Sequence, residues 1–513
     1  MSGDGIKKRK PQLLPVAIYI LILTIIILYR AFILLQYNAE FIDEDQALMW
    51  NGAAAFSHFI MPEPCFWGQS YGSMFESFLA APLLWLKIPL KYAVPASTAM
   101  IGFFPFLFIS YLLYKNNFKL ESCITLMLYL SHGWKWDIIT SIPRSFVSGF
   151  PFAVIGTILL NDERRGSYAG IGTFIAGIGA IMTPTSIMVT SFGFLNYLFN
   201  IKKKSLKQHL YIFTALLSCG IIYLLIKNFY SINPDFSLHR PLYYDISFET
   251  LMYNIRNIPE LFKDFTFTGI WMIVLIAFIA GIIYSFLKKQ WKLTIMLAVH
   301  IFLALGLMSM TKTLRFTEHS VLHSQTRMFL CFSYSALPIL YFYTDDLLLN
   351  KGHNAPNFCQ CNRKTLLSVS GAILLLIFGV IFKANNILAE INDPESSLNN
   401  PGACQLRMID PLTARAKEVI EYSRENNIDV IVVKNDTRPF AYLLDAMYFQ
   451  EFVYYNITYD RRTWVYHYLE QITPHRCLFV SYHDDYISTT IFTIEDESVI
   501  QFIAENYGMY RNS

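Results

Sequence analysis

The chain has 513 residues, of which 54% are hydrophobic and 16% aromatic, while only 15% are charged. Soluble proteins carry about 25% charged residues, so this composition, with a mean hydropathy of +0.37, excludes an ordinary soluble domain and predicts a polytopic membrane protein. The formal net charge of +3 lacks the strong basic excess of nucleic-acid-binding proteins, so we expect no nucleic-acid partner.

The N-terminal segment carries the basic cluster KKRK at residues 7–10, followed by an apolar run from about Leu13 to Gln36. This run is too long for the core of a signal peptide, and no small-residue cleavage site follows it. We therefore interpret it as an uncleaved signal-anchor helix whose N-terminal end is cytoplasmic.

Further apolar segments follow along the chain. They lie near residues 92–114, 120–132, 145–160, 168–182, 186–200, 209–227, 269–287, 293–310, 327–344 and 365–388. The segment 73–90 is also apolar, but Glu76 and Lys87 shorten it, so we expect it to dip into the membrane interface without crossing. With the first helix, the sequence predicts an all-α polytopic membrane protein of about 11 transmembrane helices.

The charges of the loops predict the sidedness, because Lys and Arg accumulate in short cytoplasmic loops. The loops KNNFK, NDERRG, NIKKKSLKQ, KKQWK and NKGHNAPNFCQCNRK fall on the side of the N-terminus. The outer side receives the first loop, about residues 37–91, together with HGWKWDIITSIPR, residues 228–268, TKTLRFTEHSVLHSQTR and the tail. Among the basic residues of the outer side that depart from this rule are Lys135, Arg144, Lys312, Arg315 and Arg327.

The tail after about Cys404 has interspersed charges and an α/β pattern. DPLTARAKEVIEYSRENN has helical spacing, and IDVIVVKN and RCLFVSYHD are β-rich. We predict a transmembrane domain over residues 1–390 and a small extracytoplasmic α/β domain over residues 391–513, which packs against the rest or orients an acceptor. Cys404 and Cys477 would share an oxidising compartment, and the sequence leaves open whether they pair.

The first outer loop concentrates polar and aromatic groups. After Asp45, the stretch QALMWNGAAAFSHFI predicts a helix along the membrane surface. Asp43, Glu44 and Asp45 stand at or just before the start of that helix, where the macrodipole favours carboxylates and where they can act as simple caps. Polar groups at membrane depth are costly and tend to be functional, so the following MPEPCFWGQSYGSMFES favours a site here.

The order of a first membrane helix, an acidic DEDQA, a surface helix and FWGQSYGSMFESFLAAP resembles membrane glycosyltransferases of the GT-C fold of bacterial type, related to protein mannosyltransferases and lipid A aminoarabinose transferases. The resemblance covers residues 1–90 in motifs and the remaining membrane segments in architecture only. It implies inverting transfer of a sugar from a polyprenyl-phosphate donor to a glycan, lipid or protein acceptor at the outer face of the bacterial inner membrane.

The resemblance also implies roles for individual residues. Asp45 matches the catalytic carboxylate, which takes the proton of the acceptor hydroxyl. Asp43 is the alternative base in a shifted register, because Gln46 stands where the family more often has Glu. Glu44 lies between the two and is implied only as a substrate-binding group.

The second motif and the basic residues complete the implied site. Gln69, Tyr71 and Glu76 match the family segment that binds the donor or the acceptor. The leaving phosphate needs cations, and Arg suits this task because its planar fork holds two phosphate oxygens at once. The candidates for phosphate binding are Lys135, Arg144, Arg315 and Arg327.

Two sequence patterns resemble metal-binding motifs, but each lacks a feature that such a site needs. Asp43-Glu44-Asp45 is a D-x-D sequence, which elsewhere can hold a divalent ion, but no Gly-rich or Rossmann-like context accompanies it. The sequence HSVLH at residues 319–323 lacks the Glu of an H-E-x-x-H zinc motif. We therefore predict neither a metal nor a cofactor.

Two other functions remain as alternatives. A transporter or flippase of lipid-linked glycans predicts repeated halves and polar residues in the middle of several spans, and the sequence displays neither. An oligosaccharide polymerase or ligase shares the chemistry of the outer face. It is distinguished by whether a lipid donor with a single sugar suffices.

Overall fold

The computed structural model describes residues 13–61, 63–66, 68–69, 72–233, 245–259, 271–311, 326–351, 363–393, 407–428, 430–433, 438–449, 451, 453–456, 475–483 and 486–494. Within these residues the chain is mainly helical, and most of its strand residues lie in the C-terminal part. Tyr71, Lys312, Arg315, Cys404 and residues 319–323 lie outside the described residues.

The helices follow the apolar segments of the sequence. The first helix, α1 (Leu13–Ile33), continues into a π-helical turn, Leu34–Asn38. The others are α2 (Glu44–Ser57), α3 (Phe75–Trp85), α4 (Leu90–Lys115), α5 (Lys119–Leu130), α6 (Trp134–Ile139), α7 (Phe150–Asn161), α8 (Ser167–Met182), α9 (Ile187–Phe199), α10 (Leu206–Ile232), α11 (Phe248–Arg256), α12 (Trp271–Leu287), α13 (Trp291–Met308), α14 (Thr326–Lys351), α15 (Arg363–Asn392), α16 (Ile409–Glu425) and α17 (Arg438–Met447).

Within the described residues, five helical segments are long and apolar enough to cross a membrane. They are Val16–Asn38, Leu90–Lys115, Leu206–Ile232, Trp291–Met308 and Gly371–Asn392. Shorter apolar helices accompany them, among them Phe150–Asn161 and Ser167–Met182. The prediction of a helical membrane protein is therefore confirmed, whereas the number of 11 spans stays a prediction.

The segment expected at the membrane interface forms α3, a helix of 11 residues. A membrane span needs roughly 20 residues, so a helix of this length does not cross a bilayer alone. The helix ends in a turn in which Lys87 adopts a left-handed conformation, with φ of 60°, before α4 begins at Leu90. This arrangement suits the expectation that residues 73–90 do not cross the membrane.

Helices α7 and α8 pack backbone against backbone through small residues. A Cβ added to Gly156 would lie 2.5 Å from the carbonyl oxygen of Gly172, so only glycine fits this contact. Small residues at such contacts let membrane helices approach closely and gain dispersion energy that the lipid tails do not supply.

Contacts between loops join segments that the charge pattern assigns to the same side. Tyr230, at the end of α10, donates a hydrogen bond of 2.6 Å to Glu63 in the first loop. At the opposite set of loops, Lys204 pairs with Glu163 at 2.8 Å, and both belong to segments predicted as cytoplasmic. Which of the two sides faces the cytoplasm stays a prediction.

The C-terminal segment, residues 407–494, contains a four-stranded mixed sheet. Its strands β3 (Val430–Val433), β4 (Val453–Asn456), β5 (His475–His483) and β6 (Tyr486–Ile494) lie in the order β4-β3-β5-β6. Strand β3 is parallel to β4 and β5, while β5 and β6 are antiparallel. Parallel neighbours require crossover connections, and α17 lies between β3 and β4 in the chain.

The C-terminal segment contacts the first loop directly. Strand β1 (Phe41–Ile42) pairs antiparallel with β2 (Arg407–Met408), and the Ile409 amide donates to the Glu40 carbonyl at 2.8 Å. Lys91 at the start of α4 forms an ion pair of 2.9 Å with Asp410. The first loop and the C-terminal segment are therefore in direct contact, whereas their side of the membrane stays a prediction.

A buried interface extends this contact along α2. Leu48 and Trp50 of α2 belong to the same buried apolar cluster as Phe440 and Leu443 of α17. Burial of several large apolar side chains contributes roughly 1.5–3 kcal/mol for each of them. The helix expected along the membrane surface is instead mostly buried, between α3, α4 and the C-terminal segment.

Candidate functional site

Two carboxylates and one guanidinium meet at the start of α2. The Arg144 Nη2 atom lies 2.6 Å from Asp43 Oδ2 and 3.1 Å from Asp45 Oδ2. Arg144 belongs to the loop between α6 and α7, so the tertiary fold brings it to the acidic pair. The sequence selected all three residues as candidates, and the structure adds that they form one unit, which we call the carboxylate–Arg144 cluster.

Asp43 has the more structural position of the two acids. It is the N-cap of α2, and its Oδ1 atom accepts a hydrogen bond of 2.9 Å from the Gln46 amide. Such a cap satisfies a free N–H group and stabilises the helix start by about 1 kcal/mol. The side chain is only 2% exposed, and burial raises the pKa of Asp43, an effect that the Arg144 guanidinium opposes.

Asp45 has the more open position. It lies in the first turn of α2, and its side chain is 27% exposed although it contacts the same guanidinium. Glu44, between the two acids, is half-buried. Of the two carboxylates that contact Arg144, Asp45 is therefore the one that a substrate can reach.

The buried carboxylate of Glu76 holds the loop that carries Arg144. It accepts hydrogen bonds from the hydroxyls of Thr98 at 2.9 Å and Ser148 at 3.0 Å, and from the backbone amides of Arg144 and Ser145. Glu76 has no exposed surface, and burial raises its pKa to about 7 despite these donors. The sequence suggested direct contact with substrate, whereas the structure places Glu76 beneath the Arg144 loop.

The Arg144 loop has a strained backbone that these contacts stabilise. Ser145 adopts a left-handed conformation with φ of 63°, which is uncommon for a residue with a side chain. Its hydroxyl accepts a hydrogen bond of 2.6 Å from the Ser73 amide. A residue in a sparsely populated conformation costs on the order of 1–3 kcal/mol, and such residues concentrate at functional sites.

The segment that contains Gly68 and Gln69 is anchored by a glutamate that the sequence did not single out. Glu63 is buried, and its Oε2 atom accepts hydrogen bonds from the Gly68 amide at 2.8 Å and from the Tyr230 hydroxyl at 2.6 Å. Tyr230 also accepts from the Cys65 amide at 3.1 Å. The predicted residue Gln69 belongs to this segment and is half-buried. The available signal for Glu63 was an acidic residue that stands between Pro62 and Pro64 in the sequence.

The other predicted cations are described only in part. Lys135 is half-buried in α6, and its Nζ atom lies 5.9 Å from the centre of the Trp134 ring. Arg327 lies in the first turn of α14, but its side chain is outside the described part of the chain. Their proposed contact with a donor phosphate stays a prediction, together with that of Arg315.

A second charged cluster lies inside the helical bundle. Asp137 of α6 contacts Arg30 of α1 at 3.2 Å and Lys383 of α15 at 2.5 Å, and it accepts from the Tyr29 hydroxyl at 3.0 Å. The three charged side chains are at least nine-tenths buried. The sequence did not predict this cluster, because its members come from three helices that are far apart in the chain. The available signal was Arg30 and Lys383, each a charged residue within a predicted apolar segment.

Comparison with known proteins adds no family assignment. No protein-family model, no curated protein and no solved structure matches this chain.

Proposed function

We propose that this protein is an inverting membrane glycosyltransferase that moves a sugar from a polyprenyl-phosphate donor to an acceptor at the outer face of the bacterial inner membrane. The observation that carries the proposal is the carboxylate–Arg144 cluster, in which an accessible acid and a nearly buried acid share one guanidinium. The cluster joins a proton acceptor to a phosphate-binding group within a few ångströms, and sugar transfer from a lipid phosphate needs both.

In the proposed reaction, Asp45 takes the proton of the acceptor hydroxyl as this oxygen attacks the anomeric carbon. A new bond forms between the acceptor oxygen and that carbon, while the bond from the carbon to the phosphate oxygen breaks with its electron pair. The products are the glycosylated acceptor and polyprenyl phosphate, and the proton remains on Asp45. Attack opposite the leaving group inverts the anomeric centre.

Arg144 is suited to bind the leaving phosphate. Its guanidinium presents several N–H donors in a planar fork, which suits the oxygens of a phosphate. Because Asp43 retains Arg144 from its buried side, the arginine stays positioned when the phosphate competes with Asp45. Release of Asp45 from the guanidinium also makes this carboxylate more basic, as its role requires.

The surroundings of the cluster support catalysis by a fixed geometry. Glu76 holds the backbone of Arg144 and Ser145, and Glu63 holds the turn that contains Gln69. Preorganised groups stabilise developing charge without reorganising during the reaction. The C-terminal segment packs on α2, the helix that carries Asp45, so we propose that it supports the site and orients the acceptor.

The proposal is tested by incubating membranes of an expressing strain with a panel of radiolabelled polyprenyl-phosphate monosaccharides. A glycosyltransferase forms a labelled covalent product and releases unlabelled polyprenyl phosphate. A flippase moves the label across the bilayer without forming such a product. A polymerase or ligase uses only donors that carry an oligosaccharide. Membranes that contain Asp45→Asn at equal abundance are the matched control.

A further inference from the structure

A cavity of about 400 Å³ lies at the far end of α2 from Asp45. Its walls come from three parts of the chain: the end of α2, the connection from α3 to α4, and the end of α17 with the residues that follow. Ligand cavities usually enclose about 300–1,000 Å³, so this space suits one or two sugar rings. The carboxylate–Arg144 cluster does not contribute to it.

The polar groups of the cavity include donors and acceptors of both charge signs. Ser57, His58, Lys87, Tyr448 and Glu451 all line it. Glu451 is neutralised by an ion pair of 2.6 Å with Arg424, whereas Lys87 has no ion-pair partner among the described residues. The lining therefore combines a carboxylate that already has a cationic partner with several other hydrogen-bonding groups, and such a set suits the hydroxyls of a polyol, which both donate and accept hydrogen bonds.

Aromatic side chains provide part of the apolar lining of the cavity, beside aliphatic residues such as Leu84 and Ile88, and part of its rim. His58 and Phe449 both line it, with ring centres 5.2 Å apart. At the neighbouring positions, the rings of Phe59 and Trp85 stack at 5.3 Å and remain 85% and 53% exposed. A sugar ring has an apolar face of C–H groups and an edge of hydroxyls, so it pairs an aromatic surface with nearby polar groups.

The walls are held in fixed positions before any ligand binds. The Trp85 indole N–H donates a hydrogen bond of 2.8 Å to the Ser57 carbonyl, which ties α3 to the end of α2. Lys87 occupies the left-handed turn after α3, and its amide donates to the Leu84 carbonyl at 2.8 Å. A preformed cavity lowers the entropic cost of binding a ligand.

We propose that this cavity is a distal subsite that binds neutral sugar units of a glycan acceptor. The assignment of these sugars to the acceptor rests on the proposed transferase function, whereas the sugar-binding cavity itself does not. Asp45 lies in the first turn of α2 and His58 directly follows its last turn, which separates them by about 20 Å along the helix axis. An acceptor that spans this distance carries several sugars, so the subsite selects for an oligosaccharide over a single sugar.

Direct binding tests the subsite without any need for activity. The full-length protein in detergent is mixed with mono-, di- and tetrasaccharides of glucose, galactose, mannose and N-acetylglucosamine, and binding is measured by saturation-transfer NMR. We expect at least one of these sugars to bind, and Phe449→Ala and Lys87→Gly to weaken its binding by roughly tenfold each. Glycine suits the left-handed backbone at position 87, so that variant removes the side chain without strain. Leu86→Ala, at a neighbouring exposed position that does not line the cavity, is the matched control.

The outcomes separate the subsite from the catalytic proposal. Binding that depends on Phe449 and Lys87 but not on Leu86 or Asp45 supports the subsite, even if no transfer activity is found. The subsite is overturned if no panel sugar binds, or if the cavity variants bind the sugar as well as the wild-type protein. It is also overturned if vesicles of phosphatidylglycerol displace the bound sugar, because that result identifies the cavity as a lipid site. Transfer activity that survives these results leaves the catalytic proposal standing.

Discussion

The guanidinium of Arg144 lies 3.1 Å from the carboxylate of Asp45 and also contacts Asp43, which is almost fully buried. This relationship gives the two acids different roles, although they stand two residues apart. Asp43 caps α2 and retains the arginine, while Asp45 keeps exposed surface for chemistry.

Arg144→Lys is expected to lower sugar transfer by roughly 10- to 100-fold. Lysine keeps the positive charge but lacks the planar fork that lets one side chain hold both carboxylates and a phosphate. Transfer is measured in membranes with matched protein abundance. Arg164→Lys is the control, because Arg164 is 79% exposed and forms an ion pair with Asp162. Equal activity of Arg144→Lys and the wild type would remove Arg144 from the phosphate-binding role.

Glu76→Gln is expected to act through Arg144. The amide nitrogen of glutamine cannot accept hydrogen bonds, so at least one donor among Thr98, Ser148 and the Arg144 loop loses its partner. Transfer should fall about tenfold, and the double variant Glu76→Gln with Arg144→Lys should lose little beyond Arg144→Lys alone. Additive losses in this double-mutant cycle would show that Glu76 acts independently of Arg144.

The contact between α2 and α17 is expected to weaken as the pH rises. Asn51 of α2 donates a hydrogen bond to Asp445 of α17, and burial raises the pKa of Asp445 from 3.8 to about 7. Because the pKa of Asp445 is raised in the docked state, the docked state binds this proton more tightly than the undocked state does. The stabilisation that this proton gives to the docked state is therefore full below about pH 4. It falls as the pH rises through about 7 and is absent at higher pH.

Proteolytic release of the C-terminal segment measures this contact. We expect faster cleavage at pH 8 than at pH 5, after correction for the protease rate on an unfolded substrate. Asp445→Asn removes the titrating group while keeping an acceptor for Asn51, so its cleavage should vary little between these two pH values. The prediction fails if the wild-type protein and this variant respond to pH in the same way.

Asp137→Asn is expected to destabilise the helical bundle strongly. Two buried cations, Arg30 and Lys383, would lose their shared carboxylate, and breaking a buried pair in this way costs about 3–5 kcal/mol. Asp162→Asn removes a pair with an exposed arginine, which water screens, so it should lower the transition temperature far less. Thermal unfolding of both variants in detergent compares the two effects, and similar transition temperatures would contradict the assigned role of Asp137.

The sequence predicted most helices, because apolar segments of a membrane protein have little choice but to satisfy their backbone groups as helices. It did not predict the loop before α7. Residues 145–160 appeared as one apolar segment, but α7 begins at Phe150, since Ser145 adopts a positive φ and the loop binds Glu76. Side-chain hydrogen bonds from a distant helix override the local apolar pattern there.

The candidate site was predictable in its residue types but not in its pairings. The acidic stretch and Arg144 stood out because they depart from the apolar and charge patterns around them. The same reasoning could not find Glu63 or the partners of Asp137, because their hydrogen bonds and ion pairs join segments that are far apart in the chain. Nor could it distinguish Asp43 from Asp45, since the difference is one of burial.

Sugar transfer by Asp45→Asn and by Asp43→Asn, each compared with the wild type, tests the central claim most directly. Asparagine preserves the shape of the side chain and can cap α2 at position 43, but it cannot take a proton. The account predicts that Asp45→Asn inserts normally and loses on the order of 100- to 10,000-fold in transfer rate, while Asp43→Asn keeps substantial activity. Retained transfer in both single variants and in the double variant would contradict it.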